Sequence, residues 1–359
     1  MVTAMATALT TAGCASFSGN GGMLAVQDAA GATLGKEAVK ITSEAEAADF
    51  RGKVRALLAK RLTVDAAVQV ALLNNRGLQA AYNDLGISEA QMIEASLPPA
   101  PTISLSRIVG SGGFEIERQV AQNILGLLTL PRRREIAKDK FAQAQLRAVD
   151  ATLRTAAQAR RAYYRAVAAS QTVKFLEEAR ASADGVSELA KKLGETGALS
   201  KLDQAREHAF YAEVSGQLAL GRLRERTERD RLARALGLWG AETNFRLPPA
   251  LQPLPAKPRS IPDIETEAVT CRVDLEIARR ELDILARELG LTKRTRFINL
   301  LEAAYHSTSE KDTKVTTVAG VTETEVDRID RHGLDVEFQI PIYDFGETKV
   351  RLAEETYMR

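Results

Sequence analysis

The chain has little of what catalytic and ligand-binding machinery is made from. Its 359 residues include 3 histidines and 2 cysteines. His208, His306 and His332 are dispersed, and there is no His/Cys spacing suited to a metal, no glycine loop that could cradle a phosphate and no nucleophile motif. An enzyme, a cofactor and a metal centre are therefore not expected. Cys14 and Cys271 are too few and too far apart for a disulfide framework, and Cys271, set in a helical pattern, reads as a packed thiol. No stretch approaches the roughly 18 consecutive apolar residues of a membrane-spanning helix, so a membrane role would have to come through strands or a lipid. The formal charge of +2 comes from acidic and basic residues interleaved along the chain, which excludes a nucleic-acid footprint. Aromatic residues make up 5%; alanine and charge dominate instead, the composition of a rod.

What is present, first, is a long helical hairpin from Pro131 to Gly237. Between Arg132 and Leu193 there is no proline, alanine recurs every few residues, and glutamate, lysine and arginine fill many other positions, as a long exposed helix prefers. At about 1.5 Å per residue this arm would run roughly 90 Å. The arms meet at a tip, Leu193-Gly194-Glu195-Thr196-Gly197-Ala198-Leu199-Ser200. On the return arm Leu202, Ala205, Ala209, Ala212, Gly216, Ala219 and Leu223 follow the heptad period of a coiled-coil seam. Side chains that short let neighbouring helices approach closely. An ordinary dimeric coiled coil would show the same pattern.

Ahead of the hairpin, 19–36 is rich in glycine and alanine without periodicity and reads as an extended tether. Helical pattern begins near Glu44 and again at Leu62-Thr63-Val64-Asp65, where Thr63 is placed to cap. It pauses at Asn74-Asn75-Arg76-Gly77, resumes to Ser96 and is ended by Leu97-Pro98-Pro99-Ala100-Pro101. The period then changes to two. Ile103, Leu105 and Val109 share a face that Arg107 interrupts, with Ser104 and Ser106 opposite. After the turn Gly110-Ser111-Gly112-Gly113, the residues Phe114, Ile116, Val120 and Ile124 share a face that Arg118 interrupts, with Glu115, Glu117, Gln119 and Asn123 opposite. Each strand has about the 9–11 residues that cross a bilayer within a barrel; a soluble sheet lying on a core would alternate likewise. Arg132, Arg133 and Arg134 in the first turn of the long helix would oppose its dipole, and anionic lipid headgroups nearby would compensate.

Beyond the hairpin, 247–262 is proline-rich and extended, and the earlier order returns. Ile264 to Leu291 is helical, Phe297 to Ser307 reads as a strand, and Ser309 to Arg331 as a long polar loop that sits in water. Leu334, Val336, Phe338, Ile340 and Ile342 then alternate with Asp335, Glu337 and Gln339, the cleanest strand in the chain. Tyr343-Asp344-Phe345-Gly346 ends it, and a helix starts at Glu347. An internal duplication is the economical reading; its second half would lack a long hairpin of its own.

Met1 to Cys14 is small and mildly apolar and ends Ala12-Gly13-Cys14, which resembles the tail of a bacterial lipoprotein signal, with Cys14 as the lipid-bearing residue. A chance cysteine in a soluble N-terminus is the bland alternative. Residues 62–359 as a whole resemble the TolC-like outer-membrane efflux proteins. The resemblance rests on Leu62-Thr63-Val64-Asp65-Ala66-Ala67 through Asn74-Asn75 to Leu97-Pro98, on the tip with Gly197 followed by Ser200-Lys201-Leu202-Asp203, and on Pro341-Ile342-Tyr343-Asp344-Phe345-Gly346, in that order and spacing. It implies a mainly α fold with a small β part: a long coiled-coil hairpin, and four strands contributed to a transmembrane β-barrel shared by a homotrimer. It implies a passive exit duct of a tripartite efflux or type I secretion system, lipid-anchored in the outer membrane. The partners implied are a periplasmic adaptor, an inner-membrane transporter and outer-membrane lipid, with no nucleic acid. The tip residues Gly194, Thr196, Gly197, Leu199, Ser200, Leu202 and Asp203 would meet the adaptor. Glu115, Glu117, Asp335 and Glu337 would face the lumen, and the family's second tip would lie beyond Arg359.

The organisation expected is thus 1–14 signal-like, 15–61 tether and helix, 62–247 a first repeat, and 248–359 an incomplete second repeat. Strands are placed at about 102–109, 114–128, 296–307 and 333–343, and long helices at about 132–193 and 200–237. The rival is a soluble periplasmic adaptor or scaffold whose hairpin is a binding arm and whose strands form a small soluble sheet. It would need an apolar core that this aromatic-poor chain does not obviously supply.

Overall fold

The computed structural model describes residues 16–110, 112–254, 256–257, 262–318 and 321–359; Cys14 lies outside them. In chain order the elements are α1 (Leu24–Leu34), α2 (Glu44–Ala59), α3 (Val64–Asn74), α4 (Arg76–Ser96), β1 (Thr102–Val109), β2 (Gly113–Asn123), α5 (Ile124–Glu195), α6 (Lys201–Leu236), α7 (Ile264–Cys271), α8 (Val273–Thr295), β3 (Leu300–Val318), β4 (Val321–Gln339) and α9 (Glu347–Met358). Two compact units result: Asn20–Gly86 with Ala144–Leu275, and Ile87–Gln143 with Glu276–Arg359 and residues 16–19. The first is helical; the second carries the sheet.

In the helical unit the starts are chemically marked. Ser43 Oγ accepts the Glu46 N–H at 3.2 Å while Glu46 Oε2 accepts the Thr42 N–H at 2.9 Å, and Thr63 Oγ1 accepts the Ala66 N–H at 3.1 Å. The core gathers Phe50, Val54, Leu62, Val70, Tyr163, Val167, Leu232, Leu236 and Phe245. A parallel bridge between Arg61 and Arg246 brings the proline-rich return beside the start of α3, with Leu62 N–H donating to the Arg246 carbonyl at 2.8 Å. The end of α6 is capped from a distance. Gly237 takes φ +71, Asn74 Nδ2 donates to its carbonyl at 2.9 Å, and Asn75 Nδ2 donates to the Ala235 carbonyl at 3.1 Å. The pause read at Asn74-Asn75 is therefore a clamp on another helix. Tyr82 is fully buried, its hydroxyl 2.9 Å from Thr152 Oγ1, which in turn donates to the Ala148 carbonyl at 2.8 Å.

The sheet unit is a four-stranded antiparallel sheet in the order β1-β2-β3-β4. Its first hairpin closes with Gly110 N–H donating to the Gly113 carbonyl at 3.0 Å. Asn123 Oδ1 accepts the Gly126 N–H at 2.7 Å, so β2 passes into α5 without a loop. Ion pairs then tie the helices: Arg287 to Glu135 at 2.6 Å and Asp139 at 2.9 Å, and Lys293 to Glu354 at 2.6 Å. Together Arg132 and Arg287 hold the Glu135 carboxyl below its usual range.

Four expectations are corrected. The tether over 19–36 contains α1, whose Val26 and Ala30 are buried and whose C-terminus is closed by Gly35 at φ +60; three turns are too short for apolar periodicity to show in an alanine-rich background. The second strand stops at Asn123, not near 128, and α5 runs 72 residues from Ile124 with Pro131 inside it. Arg132, Arg133 and Arg134 are consequently away from the N-terminal turn, so the opposition to the dipole disappears. The helix placed over 264–291 breaks at Arg272, where Arg272 bridges Asp274 with contacts of 3.0 and 2.6 Å, and Cys271, read as a packed thiol, is exposed just before the break. The loop placed at 309–331 is strand: β3 and β4 have 19 residues each and pair to Val318↔Val321. Pairing with each other satisfies their backbone, so no core face is needed, and threonine and valine suit the extended state.

Candidate functional site

Side chains alternate across a strand, so the register sorts them onto two faces. Ile103 stands opposite Val120, Val120 opposite Tyr305, and Tyr305 opposite Leu334, one apolar row across all four strands. Ala303↔Val336 and Leu301↔Phe338 continue it along β3 and β4. Among the described residues the members on the outer strands are uncovered: Ile103 is 74% exposed, Leu334 82%, Val336 65% and Phe338 61%. The band has an aromatic margin. Tyr305 stacks on His332 with its hydroxyl 3.1 Å from Nδ1, and beyond that pair the same face carries Arg118, Ser307, Asp330 and Lys311.

The opposite face is polar. Glu115 and Glu117 of β2 fall on it with Glu302 of β3 and Asp335 and Glu337 of β4. The four carboxylates singled out from sequence alternation are thus brought to one side of one sheet. Sequence reasoning missed His306, noted only as one of three dispersed histidines. In the structure its Nδ1 lies 3.0 Å from Asp335 Oδ2, and the opposing Gly333 leaves room for the ring, since a Cβ there would come within 2.2 Å of it. Both outer strands, β1 and β4, keep one edge unpaired among the described residues.

The hairpin tip is compact. The Ala198 N–H donates to the Leu193 carbonyl at 2.9 Å and Gly197 N–H to Gly194 at 3.1 Å, with Gly197 at φ +78, the geometry by which helices end through a left-handed residue. Thr196 Oγ1 donates to the Leu193 carbonyl at 2.9 Å. Ser200 Oγ accepts the Asp203 N–H at 3.1 Å and donates to Asp203 Oδ2 at 2.6 Å, starting α6. Gly194 has a packing reason, because Gln204 crosses it to reach the Ala190 and Lys191 carbonyls at 3.2 Å. Of the tip's apolar residues, Leu199 is half-buried and Leu202 is exposed.

The arms meet on a face other than the one read as the seam. Val214 and Leu218 are buried, Gly221 lies against Val173 and Leu176, and Arg222 pairs with Glu177 at 2.9 Å. Leu202, Ala205, Ala209, Ala212, Gly216, Ala219 and Leu223 all stay exposed. Two stripes of the same period run along α6, and the small-residue stripe is left exposed among the described residues.

At the junction of β4 and α9 the chain turns through Phe345 at φ +47 and Gly346 at φ +73. Asp344 Oδ1 accepts the Gly346 N–H at 3.0 Å and Oδ2 the Thr348 N–H at 3.3 Å, which hold its carboxyl below the usual range. Arg296 closes the turn by donating to the Phe345 carbonyl at 3.1 Å.

Among the described residues no helix is long and apolar enough to cross a membrane. No protein-family model and no curated protein matches the chain by sequence. Solved structures do match it. The outer membrane channel CmeC of Campylobacter jejuni superposes with a TM-score of 0.62 at 17% identity, over 82% of this chain and 65% of that one. The outer-membrane channel OprN gives 0.63 at 16%, over 82% and 68%, and the outer membrane protein VceC of Vibrio cholerae gives 0.59 at 14%, over 82% and 72%. The chain spans about two thirds of the length of these channels, and its fold is that of the TolC-like outer-membrane channels.

Proposed function

We propose that this chain is a subunit of an outer-membrane exit duct that passes solutes without chemistry of its own. One observation carries the reading: an open four-stranded sheet with an uncovered apolar band on one face and carboxylates on the other. Lipid satisfies the band and water the carboxylates. An open sheet cannot sit in a bilayer with unpaired edges, and the smallest single-chain transmembrane barrels have about eight strands, so several copies must share one barrel. Three copies would supply twelve strands, and the exposed small-residue stripe on α6 offers each copy a close helical contact with the next. The order helix, hairpin, helix occurs twice, around β1–β2 and around β3–β4, in keeping with a duplicated ancestor.

On this reading Glu115, Glu117, Asp335 and Glu337 line the lumen and favour cations over anions. The tip from Gly194 to Asp203 meets a periplasmic adaptor, an inner-membrane transporter supplies the energy, and Cys14 carries a lipid. Drug efflux and type I secretion both fit such a duct. The rival soluble scaffold would have to leave Leu334, Val336 and Phe338 in water side by side. The test is fractionation of the protein with its native N-terminus, unheated electrophoresis of the detergent extract, and mass spectrometry of the N-terminal peptide. Acylated Cys14 in the outer membrane, with an oligomer of trimer size, is the expected result; a soluble, unmodified monomer would overturn the reading.

A further inference from the structure

Within the sheet unit, the helices that continue the strands border an open cavity of about 740 Å³, inside the roughly 300–1,000 Å³ range of small-molecule sites. Its walls come from α4 (Met92, Ala95), α5 (Ile136, Ala137), α8 (Leu285, Leu289) and α9 (Leu352, Ala353), within about five helical turns of the strand ends. The walls are apolar, but the charges around them do not balance. Lys140 is neutralised by Glu288 at 2.6 Å. Lys349 is exposed, donates to the neutral Asn299 Oδ1 at 2.8 Å and lies within electrostatic reach of the Asp344 carboxylate. Arg133 is half-buried and makes neither an ion pair nor a hydrogen bond among the described residues. Arg133 is thus the cation left without a partner at the edge of an apolar hollow.

We infer that this cavity binds a long-chain fatty acid, its alkyl chain against Met92, Ile136, Leu285, Leu289 and Leu352 and its carboxylate on Arg133 and Lys349. An apolar ligand would leave Arg133 unanswered, and a small anion would leave the walls wet; an amphiphile with an anionic head satisfies both. Guanidinium holds a carboxylate through two parallel hydrogen bonds, whereas the ammonium of Lys349 acts as a point charge. The inference rests on the proposed membrane location, which puts these helices next to a source of acyl chains.

The test uses the full chain in nanodiscs of a neutral phosphatidylcholine, with cis-parinaric acid as the fluorescent probe and palmitate and hexadecanol as competitors. Saturable binding of one probe per chain is expected, with palmitate displacing it at least about tenfold better than hexadecanol, the scale of one charge-assisted hydrogen bond. Arg133→Gln with Lys349→Gln should remove that preference while leaving hexadecanol unchanged, and Ala353→Trp should abolish binding by filling the hollow. No saturable binding, equal displacement by acid and alcohol, or binding indifferent to Ala353→Trp would each overturn the inference; the first is also what a second copy of the chain seated in the cavity would give. Trimer mobility and membrane insertion, read on the same preparation, separate the two failures. An inserted trimer that binds no probe defeats only this inference, whereas a soluble monomer defeats the duct itself.

Discussion

Replacing Val336 by arginine separates a sheet built for lipid from one built for water. Val336 is 65% exposed, lies opposite Ala303 on the apolar face and is flanked by Leu334 and Phe338. In water an arginine there has open space and no lost packing, so the change should fall within about 0.5 kcal/mol of neutral. On the lipid face of a barrel near mid-depth the same side chain costs about 2–4 kcal/mol, roughly 30- to 900-fold in the folded-to-unfolded ratio of each subunit. Glu337 provides the internal control, because it is the next residue but points to the polar face, and Glu337→Arg should be nearly neutral in either setting. The assay is the urea midpoint of the folded oligomer in lipid vesicles, followed by its retarded mobility on unheated gels. The expected outcome is a large loss for Val336→Arg and little for Glu337→Arg. Equal midpoints for the two variants would refute the assignment of faces, whatever the fractionation result.

Three further outcomes follow from the packing. Burial raises the Tyr82 hydroxyl from an ordinary value near 10 to about 12, the Thr152 contact offsetting only part of the effect. The unfolded chain therefore releases this proton first, and stability should fall by about 2–3 kcal/mol as pH rises from 10 to 12, being fully present below 10; Tyr82→Phe should flatten that part of a pH series of thermal midpoints. Gly346→Ala imposes a left-handed side chain, about 1–2 kcal/mol, and sets a Cβ 2.2 Å from the Arg296 carbonyl oxygen, so limited proteolysis should cut first at the start of α9. Asn75→Ala removes both the Leu78 cap at 3.1 Å and the bond to Ala235, lowering stability by about 1–2 kcal/mol in denaturant melts, while Asn75→Asp should recover the cap alone.

The sequence by itself determined whatever is written in a local period. Hydrophobic residues two apart from Ile103 to Val109 and from Leu334 to Phe338, the proline-free run of alanine and charge, and the Gly197 to Ser200 turn are set by neighbours a few positions away, and they fold as their spacing implies; Ile340 and Ile342, expected in the same strand, lie past its end at Gln339. So the two arms, the tip and the side of the sheet that takes Glu115, Glu117, Asp335 and Glu337 were legible. Tertiary structure decided what a period cannot encode. Either stripe of α6 could have met α5; the one with the buried Val214 and Leu218, and with Gly221 against Val173 and Leu176, does, and the alanine stripe stays exposed. The length of β3 and β4 is decided by each strand satisfying the other's backbone, which composition does not announce. Asn74 and Asn75 become a cap only when the end of α6 arrives beside them, and Arg133 comes to face an apolar hollow only when four helices meet beside it. In each case the deciding free energy lies in a contact between residues distant along the chain, and no window of sequence contains both partners.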